Sequence, residues 1–210
     1  MEQELLKRFS AFLEENKGKR KFNQSVELAI NFTGMDFSKV DNRLNLEVKL
    51  PNGKGKELKM MVFADDSNII ETAQKAGARI AKSADLTAIA TDKEKMNELL
   101  QYELIAQPNL MPLIAKSLGQ FLGPRNKMPK PLIGADAATI IGNVAKSVYL
   151  RSKGKYLPTV HCMVGSEKMP IQEITANVDE VLGSVVKKVG KQHIKSVFVK
   201  LTMSKPLRLM

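Results

Sequence analysis

The two ends of the 210-residue chain share one pattern of hydrophobicity, and the middle of the chain has another. Residues 25–32 alternate apolar and polar side chains, and strands of similar style return at residues 159–164 and 196–202. Such alternation is typical of a strand with one face in water. From Asp65 onward, short apolar runs instead alternate with helical segments, which is typical of parallel crossover units. The pattern therefore predicts one domain built from both ends of the chain and a second domain inserted into it.

The changes of pattern also predict where the two domains divide. We expect a discontinuous α+β domain over residues 1–63 and 157–210, and an inserted α/β domain with a doubly wound sheet over residues 64–156. Two chain crossings then join the domains and predict a hinge. The second crossing contains the linker residues Gly154, Lys155 and Pro158.

One helix is predicted on each side of this second crossing. Residues 135–150 are expected to form a helix that closes the inserted domain. A long amphipathic helix is expected to begin near Pro170, because apolar residues such as Ile174, Val178 and Val181 share one stripe. Gly190 is expected to end this helix.

The charge of the chain favours a polyanionic partner. Lys and Arg number 33 against 22 Asp and Glu, which gives a formal net charge of +11. Residues 64–156 hold 13 basic and 9 acidic residues, a net +4, and the flanking segments hold 20 and 13, a net +7. Neutralising phosphates releases counterions, so both nucleic acid and acidic membrane surfaces remain possible partners, and the discontinuous domain is the better candidate for phosphate contacts.

Other features of composition exclude several classes of protein. A single cysteine, Cys162, rules out an internal disulfide and a multi-cysteine zinc site, and two histidines leave little for a histidine-rich metal centre. No apolar run approaches the roughly 18 residues that span a bilayer, and the N-terminus lacks the apolar core of a signal peptide. We therefore expect a cytoplasmic protein. Beyond this argument from composition, we expect the chain to be monomeric when free and to have no membrane partner, no metal and no cofactor.

A search for enzyme motifs finds little. The chain contains no G-x-G-x-x-G dinucleotide cradle, no phosphate-binding P-loop and no nucleophile elbow. His161 and Cys162 are neighbours on a strand, so their side chains should point to opposite faces rather than form a base and nucleophile pair. Asp65 and Asp66 suit either Mg²⁺ or, with better support, the N-terminus of the following helix. A nucleotide-binding enzyme that uses the inserted domain remains the alternative function.

A stiff basic loop follows a helix at residues 122–131. It contains three prolines and the cations Arg125, Lys127 and Lys130, without any acid. Asn126 tolerates a left-handed backbone better than most residues do. This secondary basic loop is either a solvated connector or a preordered surface that touches RNA or a neighbouring protein.

Two further segments carry candidate RNA-binding side chains. The strand near the C-terminus ends in Thr202, Met203 and Ser204, whose hydroxyls suit phosphate or 2′-hydroxyl oxygens and whose thioether suits a sugar or base. The alternative is an edge strand finished by a proline turn. Lys21 and Phe22 precede another strand, where the phenyl ring is either a buried plug or a stacking surface.

These three segments together carry a resemblance to a known family. Lys21-Phe22, the run Leu-Gly-Pro-Arg-Asn-Lys-Met-Pro at 122–129 and Thr202-Met203 occur in the same order as in the ribosomal protein L1 family of the large-subunit side stalk. The resemblance covers essentially the whole chain. Asn126-Lys127-Met128 looks like the archaeal and eukaryotic version, because bacterial members usually have glycine in place of Asn126.

The resemblance implies both a fold and a function. It implies a two-domain α/β protein, in which a discontinuous α+β domain with a mainly antiparallel sheet binds structured large-subunit rRNA. The inserted domain is then Rossmann-like and parallel but binds no dinucleotide. The family also implies translational repression through the protein's own mRNA, which many prokaryotic members show, and a stalk that moves with deacylated tRNA as it leaves the ribosome.

The family pattern also implies an RNA-binding set, with one departure in this chain. The implied contacts are Lys21, Phe22, Ser196, Thr202 and Met203, with Ser204 beside them. Family members often read Thr-Met-Gly-Pro, whereas this chain has Ser204 at the glycine and Lys205 inserted before the proline. If the glycine position requires a positive φ, Ser204 is a compromise there, and Lys205 could compensate with a phosphate contact.

Overall fold

The computed structural model describes residues 3–37, 39, 42–133, 137–152 and 157–210. The chain divides into two compact units, which we call the terminal unit, residues 1–56 and 146–210, and the inserted unit, residues 57–145. Both ends of the chain lie in the terminal unit.

The terminal unit is built on a four-stranded antiparallel sheet. Its strands are β1 (Ser25–Phe32), β8 (Thr159–Ser166), β9 (Ile194–Leu201) and β10 (Leu207–Arg208), in the order β10-β9-β1-β8. The long strand nearest the C-terminus therefore pairs along its length with the strand nearest the N-terminus, from Val26 opposite Leu201 to Phe32 opposite Ile194. A separate antiparallel pair joins β2 (Asn45–Lys49) to β7 (Ser147–Arg151).

One face of the four-stranded sheet forms the core of the terminal unit. In β1, Val26, Leu28 and Ile30 are fully buried and their neighbours are only partly buried, as the alternating sequence predicts. The helices α1 (Gln3–Asn16) and α7 (Ile171–Val189) add their apolar stripes to the same core. Burying one apolar face of each element against the others is what stabilises such a layered unit.

A buried polar residue ties this core to a turn. Asn177 in α7 is fully buried, and its Nδ2 donates to the carbonyls of Gly53 at 2.9 Å and Val164 at 2.8 Å. Its Oδ1 accepts from the backbone amide of Asn52 at 3.1 Å. Because all of these groups are paired, the side chain fixes the turn at residues 51–53 without the cost of an unsatisfied buried amide.

The inserted unit contains a parallel sheet with helices. The sheet has the order β4-β3-β5-β6, and all of its pairs are parallel. Its strands are β3 (Met60–Phe63), β4 (Arg79–Ala81), β5 (Glu103–Ala106) and β6 (Lys130–Pro131). The helices are α2 (Ser67–Lys75), α3 (Ser83–Thr91), α4 (Lys93–Leu99), α5 (Met111–Leu122) and α6 (Ala137–Lys146), the last of which ends at the boundary with the terminal unit. The two-domain α/β fold class, with a mainly antiparallel sheet in the discontinuous domain and a parallel sheet in the inserted domain, is thus confirmed.

The units divide earlier at both crossings than the sequence boundaries of 63/64 and 156/157. β3 pairs with β4 and β5, so it lies in the inserted unit. β7 pairs with β2, so it lies in the terminal unit. Gly154 and Lys155 of the predicted hinge lie outside the described residues.

The predicted helix over residues 135–150 was wrong in its second part. The helix ends at Lys146, and residues 147–151 form β7. Val148 and Leu150 are buried there and alternate with Tyr149, which is the two-residue period of a strand. Among the described residues, no helix is long and apolar enough to cross a membrane.

Candidate nucleic-acid interface

The outward face of the four-stranded sheet retains solvent exposure, in contrast to its sealed inward face. Neighbouring strands place polar, cationic and aromatic side chains side by side on it. Glu27 of β1, for example, stands directly opposite Lys200 of β9 and Met163 of β8. We call this surface the open face, and its partly or fully exposed members include Glu27, Asn31, Thr159, His161, Met163, Phe198, Lys200 and Arg208.

At one end of the open face, the loop that enters β1 lies beside the turn that leaves β9. We call this place the rim, and it contains six of the residues predicted from the sequence: Lys21, Phe22, Thr202, Met203, Ser204 and Lys205. Phe22 is 49% exposed and Met203 is 57% exposed. Two large apolar side chains on adjoining segments, beside exposed lysines, make the rim a candidate binding surface. The sequence left open whether the Phe22 ring is buried or forms a stacking surface. Its exposure shows that the ring is not buried.

Hydrogen bonds hold the two sides of the rim together. The amide of Ser25 donates to Oγ1 of Thr202 at 3.0 Å, and the amide of Thr202 donates to the carbonyl of Ser25 at 3.1 Å. The amide of Met203 donates to Oε1 of Gln24 at 3.2 Å. The backbone beneath the exposed thioether is therefore fixed before any ligand arrives, which reduces the entropy lost on binding.

Gln24 is itself held by a buried carboxylate. Its Nε2 donates to Oε2 of Glu167 at 3.0 Å, and Gln24 and Glu167 are 2% and 8% exposed. The amide of Gly18 approaches the same Oε2 at 3.4 Å. Burial opposes the charge on Glu167, but these hydrogen bonds and the nearby charge of Lys168 outweigh it and hold the pKa of the carboxyl below its ordinary value.

Ser204 adopts the turn without a left-handed backbone. Among the described non-glycine residues only Asn126 has a positive φ, of 55°. The Ser204 hydroxyl instead accepts from the amide of Leu201 at 2.9 Å and donates to the carbonyl of Lys205 at 2.9 Å. A side chain at this position is therefore compatible with the turn, and it contributes hydrogen bonds that glycine cannot make.

Ser196, the remaining residue of the predicted set, lies at the other end of the sheet. It precedes Thr202 by six residues on the same face, which corresponds to about 20 Å along a strand. It is 7% exposed, and its Oγ accepts from Nδ2 of Asn31 at 2.9 Å. Thr159 donates to Oδ1 of Asn31 at 2.8 Å, so the three side chains form a row across the sheet that the rim does not reach.

Comparisons with known proteins identify a matching family and several relatives of this chain. Residues 11–205 match the model of the "Ribosomal protein L1p/L10e family". The chain is 39% identical to the large ribosomal subunit protein uL1 of Pyrococcus abyssi, over 90% of this chain and 88% of the relative. It is 36% identical to uL1 of Thermoplasma acidophilum, over 97% and 95% of the two chains.

The chain belongs to the ribosomal protein L1 family. The resemblance carried by the three sequence segments is thereby confirmed. The relatives are named as large ribosomal subunit proteins, and membership of this family gives the alternative of a nucleotide-binding enzyme no support.

The inserted unit of this L1 protein shows why its parallel sheet makes a poor nucleotide site. Nucleotides bind such sheets at the point where the strand order reverses, here between β3 and β5. At that point Oε1 of Gln107 accepts from the amides of Asp65 at 3.2 Å and Asp66 at 3.4 Å. Asp66 Oδ1 in turn caps α2 by accepting from Asn68 at 2.9 Å. A carboxylate thus occupies the helix N-terminus that a phosphate would need.

The basic loop of this L1 chain uses part of its charge internally. Lys127 Nζ donates to Oε1 of Glu103 at 3.1 Å and to the carbonyl of Tyr102 at 3.2 Å. The guanidinium of Arg125 lies 4.1 Å from the centre of the Phe121 ring, and its Nη1 donates to the Phe121 carbonyl at 2.9 Å. Lys130 is half-buried on β6. Within this loop, both Arg125 and Lys127 therefore already have protein partners.

The side chains of His161 and Cys162 lie on opposite faces of the sheet, as neighbours on a strand should. His161 is exposed on the open face, whereas Cys162 is 8% exposed on the core side. Burial raises the pKa of the Cys162 thiol to about 12, so it cannot act as a nucleophile near neutral pH. No cluster of three metal-ligating side chains occurs in the part of the chain that the structure describes.

The sequence did not predict several members of the open face, nor the Gln24–Glu167 hydrogen bond that supports the rim. Glu27 and Lys200 had a signal, because each falls on the wet side of an alternating strand. The Gln24–Glu167 pair had none, since its partners are 143 residues apart in the chain. A local pattern does not report a hydrogen bond between such distant segments.

Proposed function

We propose that this L1-family protein is a structural constituent of the large ribosomal subunit that binds the stalk region of large-subunit rRNA through the rim and the adjoining open face. The observation that best supports this proposal is the rim, where the exposed side chains of Phe22 and Met203 stand on a backbone fixed by hydrogen bonds. The names of the relatives, all large-subunit proteins, support the same partner. Such a protein acts in the cytoplasm, on the ribosome.

The division of labour within the surface follows from its chemistry. Lysines such as Lys21 and Lys205 are exposed, and no ion pair involves them among the described residues. They supply affinity that depends on salt but carries little sequence information. The fixed hydroxyl of Thr202 and the thioether of Met203 supply fit to one shaped RNA surface, since structured RNA is recognised mainly by shape and 2′-hydroxyl contacts.

Binding to a stalk rRNA transcript tests the proposal. The affinity of the full chain is measured by filter binding for this transcript and for a scrambled duplex of equal length. We expect the stalk transcript to bind at least about a hundredfold more tightly than the scrambled duplex at physiological salt. This ratio is smaller than the usual preference of a protein for a specific nucleic-acid site over non-specific sequence. Equal affinity for both RNAs would show that binding is non-specific and electrostatic, and it would refute the proposal.

We further propose that the protein represses translation by binding its own mRNA. One rim serves both RNAs, so the mRNA must carry a site that resembles the stalk. The support is the family resemblance and a single preformed surface. A transcript of the start of its own message should compete with stalk rRNA for the protein, and a failure to compete would refute this role.

We also propose that the protein assists the release of deacylated tRNA from the ribosome. The support is again the family resemblance, together with the exposed edge of the basic loop around Arg125 and Met128. Ribosomes that lack the protein should release deacylated tRNA more slowly in a stopped-flow assay, and added protein should restore the rate. An unchanged release rate would exclude this role.

A further inference from the structure

A groove of about 780 Å³ lies beside the rim, between the end of α1 and the turn that follows β9. Its volume falls within the range of roughly 300–1,000 Å³ typical of ligand sites. The groove shares Met203, Ser204 and Lys205 with the rim and is therefore continuous with the proposed RNA surface.

The lining of the groove combines apolar surface with positive charge. Phe12, Met203 and Leu207 provide apolar surface. Lys19 and Arg20 contribute cations from the α1 side, and Lys205 contributes one from the opposite side. No ion pair engages these three cations among the described residues, in contrast to Lys127 of the basic loop. The groove thus offers uncommitted positive charge next to a flat apolar surface.

One acidic side chain changes what the groove can hold. Glu15 lines it, and its carboxylate would repel a bare phosphate or sulfate. A carboxylate accepts hydrogen bonds from the amino groups of bases, however, as it does from cytosine N4. Cations for a phosphate, apolar surface for a ring and an acceptor for an amino group together match one complete nucleotide.

We propose that the groove receives a single unstacked nucleotide of the RNA bound at the rim. Its base lies against Phe12 and Met203, its phosphate meets Arg20 and Lys205, and an amino group on the base donates to Glu15. RNA-binding proteins read splayed-out bases of loops and bulges in this manner. The inference rests on the proposed function, because the nucleotide belongs to the RNA that the rim selects.

Gln24 makes the groove suited to this task before RNA arrives. It lines the groove while both ends of its amide are occupied, by the amide of Met203 and by Glu167. The wall that carries Met203 is therefore held in place. A base that enters loses its own freedom but does not have to order the protein as well.

The first test uses matched double variants of the full chain. Arg20→Gln with Lys205→Gln removes two groove cations, and Lys187→Gln with Lys191→Gln removes two exposed cations elsewhere in the terminal unit. Affinity for the stalk rRNA transcript is measured across a salt series. Because both cations meet the same phosphate, we expect the groove variant to lower the salt slope by about 0.7 to 0.9, the value for one phosphate contact, while the control retains the wild-type slope.

The second test separates a nucleotide from a bare anion. Glu15→Ala removes a repulsive charge together with the acceptor oxygens, so a simple phosphate site would bind the transcript more tightly. A nucleotide site loses an acceptor for the base, and we expect affinity to fall by roughly five- to tenfold, as for one base contact. Ultraviolet crosslinking followed by mass spectrometry should then place one nucleotide on the peptide that contains residues 203–207.

The outcomes distinguish the two proposals. Equal salt slopes for the two double variants, or tighter binding by Glu15→Ala, would overturn the groove proposal while leaving rRNA binding intact. Wild-type protein that shows no preference for the stalk transcript over a scrambled duplex would overturn both. Loss in the groove variants, with crosslinks at the groove, supports the nucleotide site.

Discussion

The backbone amide of Ser25 donates a hydrogen bond to Oγ1 of Thr202 at 3.0 Å, although the two residues are 177 positions apart in the chain. This bond lies where β1 begins and β9 ends, so it joins the two termini at one point of the sheet. The rim exists only because the inserted unit returns the chain to its starting strand. Folding of the terminal unit and formation of the rim are consequently the same event.

The first prediction concerns the exposed thioether of the rim. Met203→Asp should weaken stalk rRNA binding by roughly tenfold or more, because it places a negative charge against the phosphate-rich ligand. Met203 is 57% exposed, so the thermal unfolding midpoint should stay close to wild type. Met203→Leu keeps apolar surface and should retain most of the affinity. An equal loss for random duplex RNA would contradict the role of a fitted surface.

The second prediction concerns the support beneath the rim. Gln24→Leu removes the acceptor of the Met203 amide and the side-chain donor to Glu167, and it should destabilise the protein by about 1–3 kcal/mol. Urea unfolding measures this change, and RNA affinity should fall in parallel. Gln24→Glu keeps the acceptor for Met203 but sets two carboxylates together, so its stability should recover as the pH is lowered. Wild-type stability and affinity in Gln24→Leu would refute the supporting role.

The third prediction concerns Asn126 in the basic loop. Its φ of 55° lies in the left-handed region, where an ordinary side chain costs about 1–2 kcal/mol. Asn126→Ala should therefore lower the free energy of unfolding, whereas Asn126→Gly should be nearly neutral or slightly stabilising. Chemical denaturation of the two variants checks the order. Equal stability of the alanine and glycine variants would show that the turn does not require this conformation.

The fourth prediction concerns the pH dependence contributed by Cys162. Burial raises its pKa to about 12, from an ordinary value of 9.0, so the folded state binds the thiol proton more tightly than the unfolded state does. This contribution is fully present below pH 9 and is lost as the pH rises toward 12. The stability difference between wild type and Cys162→Ala should shrink over that window by up to about 1.4 kcal/mol per pH unit. A difference that does not change with pH would show that the thiol is accessible.

Sequence patterns reported some features of this fold and not others. The alternation in residues 25–32 predicted β1 because one of its faces is sealed and the other is wet. The change of pattern near Asp65 was a weaker guide to the domain boundary. β3 is almost fully buried and lacks alternation, since strands of parallel sheets are covered on both faces, and it already belongs to the inserted unit.

The site shows the same division between local and distant information. Thr202 and Met203 were found because the strand ends in small hydroxyls and a thioether rather than in charges. Ser196 lies on β9, the strand that leads to them, but only the structure shows that its hydroxyl accepts a hydrogen bond from Asn31. The groove could not be foreseen, because it forms between α1 and a turn that lie almost 200 residues apart.

The most decisive measurement is a structure of the full chain bound to a stalk rRNA transcript. In that complex we expect RNA atoms within about 4 Å of Met203 and Phe22, the distance of apolar contact. We also expect the RNA backbone to follow the open face from the rim toward Lys200. RNA that contacts only the basic loop of the inserted unit, with Phe22 and Met203 still in solvent, would show that the rim is not the RNA-binding surface.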